Sequence, residues 1–69
     1  MNIFEREKLL KNTQKRVLEC TKEPIKNIDL LNKLKNEGYL YYNIRASILF
    51  LLRDGYIKDT DEGYVHDQA

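Results

Sequence analysis

The sequence predicts a mainly α-helical domain closed by a small β-hairpin. Three stretches place apolar residues at helical spacing, and each ends at a strong stop: Pro24, Gly38 and Gly55. After Gly55 the pattern changes to two short β-type runs around an acidic turn. With 69 residues the chain is read as a single domain, residues 1–69, with little room for both a core and an enclosed active site.

The first helix is expected over roughly Ile3 to Lys22. At about 100° per residue, Ile3, Leu10 and Val17 fall almost on one line. Leu9, Leu18 and Cys20 flank that line, and the opposite face is polar, so one face should lie on a core. Pro24 ends the helix, because proline lacks an N–H and restrains the residue before it. Ile25 and Lys26 then form a short extended piece. The second helix is expected from Ile28 to Asn36, capped by Asn27 and carrying Leu30, Leu31 and Leu34 as its apolar stripe. Gly38 is its stop, since glycine enters the left-handed region at low cost. The third helix starts between Tyr41 and Ile44 and ends at Asp54-Gly55, with Ile44, Ile48, Leu51 and Leu52 sharing a face. Tyr56–Lys58 and Tyr64–His66 are the expected strands, joined by the five residues Asp59 to Gly63.

Charge is unevenly spread. Residues 1–53 hold eleven Lys and Arg against six Asp and Glu, whereas residues 54–69 hold Lys58 against five acidic groups. A basic body with an acidic end can turn one face to an anionic polymer. The longest apolar run, Ile48 to Leu52, is far too short to span a membrane. Early charges at Glu5, Arg6, Glu7 and Lys8 break any signal-peptide pattern, and the lone Cys20 has no partner for an internal disulfide; the expected location is cytoplasmic.

The segment "ILFLLRDGYI" sharpens the fold class. Counting from Ile44, apolar residues recur at Ile48 and Leu51, followed by Gly55, Tyr56 and Ile57. This resembles the recognition helix and first wing strand of winged helix-turn-helix proteins, and the resemblance extends from the first helix to the last strand. It implies a three-helix winged helix-turn-helix fold that binds double-stranded DNA. The chain departs from the family in a longer connection around "NEGYLYY", in lacking Ser or Thr before the third helix, and in the acidic wing tip "DTDEG".

On that resemblance the third helix enters the major groove. Arg45 would bond guanine or clamp a phosphate, Asn43 would read adenine, and Tyr41 and Tyr42 would donate to phosphates or stack. Ala46 and Ser47 permit close approach, with Ser47 reaching backbone oxygens of the DNA. Lys26, Lys33, Lys35 and Lys58 are the candidate phosphate contacts. Leu49 and Phe50 lie off the core face of the helix; they either pack within the domain or form a partner or dimer surface.

Catalysis finds no support. Cys20 and His66 come with neither an orienting third group nor an oxyanion turn, and they are too few for zinc. Asp59, Asp61 and Glu62 lack the spacing of a calcium loop. No cofactor or metal is expected. Two functions follow: a transcriptional regulator or accessory factor of a mobile element such as a phage or plasmid, binding duplex DNA, or a winged-helix module for protein interaction without direct DNA binding. The acidic wing and the apolar Leu49 and Phe50 favour the second.

Overall fold

A computed structural model describes residues 2–67. It contains α1 (Ile3–Cys20), α2 (Asn27–Asn36), α3 (Tyr41–Arg53), β1 (Ile57–Thr60) and β2 (Gly63–His66). The architecture is the expected one: three helices followed by an antiparallel two-stranded wing, in the order β1-β2. Among the described residues, no helix is long and apolar enough to cross a membrane.

The core is built from Val17 of α1, Leu30, Leu31 and Leu34 of α2, Ile44, Ile48 and Leu51 of α3, and Ile57 of β1. The apolar stripes of α2 and α3 thus face inward as their periodicity predicts. On α1 the buried line is Thr13, Val17 and Thr21. The two threonines are tolerated there because each hydroxyl donates to the carbonyl four residues back, Thr13 to Leu9 at 2.8 Å and Thr21 to Val17 at 2.9 Å. Ile3, expected on the core line, is 69% exposed. In the N-terminal half of α1 Phe4 and Leu9 are exposed as well, and Leu10 is half-buried.

Several boundaries shift. α1 stops at Cys20, where the Thr21 N–H closes the last turn on Val17 and Leu18. α2 begins one residue early: Lys26 occupies the cap position without a side-chain capping bond, and Asn27 is the first helical residue rather than the cap. Gly38, at φ 98°, ends α2 as expected; its N–H donates to Lys35 and that of Tyr39 to Leu34. α3 starts at Tyr41, again with no side-chain cap. The five-residue wing loop shrinks to Asp61-Glu62, because Thr60 pairs with Gly63. Thr60 Oγ1 reinforces this closure by donating to the Gly63 carbonyl at 2.8 Å and accepting the Glu62 N–H at 3.2 Å.

The wing is anchored at two places. The extended piece at Ile25 pairs with Tyr64 through two backbone bonds, 3.1 and 2.8 Å. At the base of β2, the His66 N–H donates to Thr21 at 2.9 Å, and His66 Nε2 donates to the Leu18 carbonyl at 2.6 Å. His66 therefore fastens the wing to the end of α1.

Candidate nucleic-acid interface

α3 has its core face at Ile44, Ser47, Ile48 and Leu51. The helical repeat then puts Tyr42, Ala46, Leu49 and Arg53 on the outward ridge, Tyr41 and Arg45 on one flank, and Asn43 and Phe50 on the other. The contacts identify the flanks. Arg45 Nη1 donates to Asn27 Oδ1 at 3.5 Å, and Lys35 Nζ lies 6.0 Å from the centre of the Tyr41 ring, so the first flank adjoins α2. Asn43 and Ala46, with Tyr42 and Leu40, face Arg6, Leu9 and Leu10 across a groove of about 680 Å³, so the second flank adjoins α1.

The predicted site residues are thereby divided. Arg45 stands beside the start of α2, and Tyr41, one turn earlier on α3, lies by Lys35 in the last turn of α2. Lys26, next to Asn27 in sequence, reaches across to the carbonyl of Asp61 in the wing turn. This contact sets a cation against the acidic wing tip. Lys58 is exposed on β1, opposite Val65. Neither α2 nor α3 has a side-chain cap, and α3 has no acidic residue in its first turn. The first amides of α3 are therefore open to an anion at the positive end of the helix dipole.

Two expected contacts are corrected. Ser47 is fully buried, and its hydroxyl has no hydrogen-bond partner, so it does not reach a bound ligand. It lies between buried Ile44 and Leu51, one turn away on either side, on the core face of α3. Lys33 sits two residues from Lys35, hence on the opposite flank of α2. It lies 3.9 Å from Glu37, in a cluster with Arg16 of α1, away from Arg45.

Sequence reasoning missed that cluster. Arg16 donates to Glu37 through Nε at 2.7 Å and Nη2 at 2.9 Å, a two-pronged bond tying the C-terminal part of α1 to the end of α2. The hydrogen bond from Arg16 holds the Glu37 carboxyl below its ordinary range, against the opposing cost of desolvation. The same bond raises the Arg16 guanidinium above its usual value. Burial pushes the Cys20 thiol up, in keeping with a residue packed against the core. The pair was hidden because its partners lie 21 residues apart. Also unforeseen were Asn27 as the partner of Arg45 and the groove beside α1.

Leu49 is 59% exposed and Phe50 37%, so neither is enclosed within the domain. The Arg53 guanidinium lies 5.4 Å from the Phe50 ring. The chain matches no model of a known protein family, no curated protein and no solved structure.

Proposed function

We propose that the chain is a small winged-helix DNA-binding protein, a regulator or accessory factor that sets the α2 flank of α3 on duplex DNA. The observation that carries this reading is the meeting of Arg45 and Asn27 at 3.5 Å. It joins one flank of α3 to the start of α2, with Lys26 next to Asn27 in sequence, while Tyr41 on the same flank meets Lys35 at the other end of α2. Arg45 has the donors to read guanine or hold a phosphate, and the lysines and uncapped amides suit phosphates. The acidic wing tip stays off the backbone, as its charge requires.

Fluorescence anisotropy with a labelled duplex tests this. With Lys26, Lys35, Arg45 and Lys58 each neutralising a phosphate, log K should fall against log salt with a slope of roughly −3 to −4. Arg45→Ala should weaken binding by roughly five- to 150-fold, the ~1–3 kcal/mol of a lost bidentate contact, with the melting temperature held. No affinity at low salt would overturn the reading. That result would favour a second one, a protein-interaction module, which is supported by the exposed apolar side chains of Tyr42, Leu49 and Phe50.

A further inference from the structure

The wing turn is pressed against the start of α2. Ile25, two residues before that helix, pairs with Tyr64 through backbone bonds of 3.1 and 2.8 Å. β2 begins so close to this piece that a Cβ on Gly63 would lie 2.7 Å from the Lys26 nitrogen. Asp61 and Glu62 form the turn just before Gly63, and Thr60 fixes it by accepting the Glu62 N–H at 3.2 Å. The turn is therefore held beside Lys26, and the Lys26 ammonium donates to the Asp61 carbonyl. Asp61 and Glu62 are exposed, and among the described residues neither carboxylate forms an ion pair. Two uncompensated negative charges thus flank the carbonyl that holds Lys26.

The same ammonium is a phosphate contact of the proposed DNA site, one residue before the Asn27 that Arg45 reaches at 3.5 Å. A lysine has three donors, so geometry alone lets it bond a carbonyl and a phosphate together. Charge opposes this. A phosphate drawn to Lys26 where it stands comes up against the carboxylates of Asp61 and Glu62, like charges too close for salt to screen fully. We propose that the acidic wing turn competes with DNA phosphate for Lys26, withholding that cation until the duplex draws it away. The inference rests on the DNA reading and adds a regulation of that site. To hold a phosphate, the ammonium must leave the Asp61 carbonyl and swing clear of the turn. The competition is local. Lys35, in the last turn of α2, lies roughly 13 Å along the helix from Lys26, farther than the ~8 Å Debye length at physiological salt. Arg45 bonds Asn27 and not the wing. The wing therefore weakens binding at one corner of the site and leaves reading by Arg45 in place.

Anisotropy titrations of a labelled duplex test this with wild type, D61N/E62Q, Lys26→Gln and the combination of the two. The fold should hold, because these residues are exposed and Asp61 and Glu62 enter the turn's bonds through backbone atoms alone. D61N/E62Q should tighten binding by roughly two- to fivefold, the scale of one exposed ionic contact. It should also steepen the fall of log K with log salt by about 0.9, for one more phosphate neutralised. In the Lys26→Gln background most of the tightening and all of the steepening should disappear. In a Lys35→Gln background both should persist, since that cation is out of reach of the turn. Equal tightening with and without Lys26 overturns the proposal and leaves the DNA reading standing. So does the absence of any tightening, or its loss in the Lys35→Gln background. No affinity at low salt by any of these proteins overturns the DNA reading, and the proposal with it.

Discussion

Replacing Gly63 by alanine should be the most damaging single-methyl change in the wing. Gly63 has φ 122°, where a side chain costs about 1–2 kcal/mol. A Cβ built there would also lie 2.3 Å from the carbonyl carbon and oxygen of Ile25 and 2.7 Å from the Lys26 nitrogen. All three are backbone atoms, which cannot swing aside as a side-chain tip can. Relief requires parting β2 from Ile25, which breaks the two backbone bonds between Ile25 and Tyr64, at roughly 1 kcal/mol each. The expected loss is about 3–4 kcal/mol, a large part of the total stability of a chain this size. With a urea slope of about 1 kcal/mol/M, the unfolding midpoint should fall by about 3–4 M. Gly38 is the control: its φ is 98°, but nothing lies within 4 Å of a Cβ there. Gly38→Ala should cost only the backbone term, about 1–2 kcal/mol. Urea unfolding followed by circular dichroism compares the two. Equal losses would refute the claim that contact with Ile25, and not φ alone, makes residue 63 a glycine.

Ser47→Ala should keep stability or raise it by up to ~1 kcal/mol, since it removes a buried hydroxyl without a partner, and it should leave DNA affinity unchanged. A marked loss on thermal melting would mean that the hydroxyl is bonded. Glu37→Gln should lower the melting temperature at pH 7. The folded-state pKa of Glu37 is depressed below its ordinary 4.5. Its contribution is therefore complete above that value and fades as pH falls through the depressed range. Wild type and variant should converge once the pH lies below the depressed folded-state value; a gap that persists at the acid end of the titration would show that Glu37 acts other than through its charge.

Helix positions and the core faces of α2 and α3 were legible from the sequence because they are local. Periodicity picks Leu30, Leu34, Ile44, Ile48 and Leu51, and Gly38 and Gly55 mark stops whatever surrounds them. The wing was legible in kind but one to two residues off at its strand ends. Its tight turn depends on Thr60, whose hydroxyl lets a β-branched residue both pair in the strand and bond within the turn. The candidate site was legible only as a list. Ser47 entered it as a small residue that permits close approach and can reach backbone oxygens, and Lys33 as a cation on the same helix as Lys35.

The sequence by itself determined the order of elements, the residues that form most of the core and the acidic character of the wing tip. These follow from backbone preference and the free energy of burying apolar side chains, which act over a few neighbouring residues. Tertiary structure alone decided which cations share a face. It set Arg45 beside Asn27 and joined Arg16 to Glu37. It also left Ile3, Phe4 and Leu9 of α1 exposed. A stripe of apolar residues announces that something must cover it. Whether the chain's own helices do so depends on how they cross in space, and here they leave Ile3 and Phe4 in water.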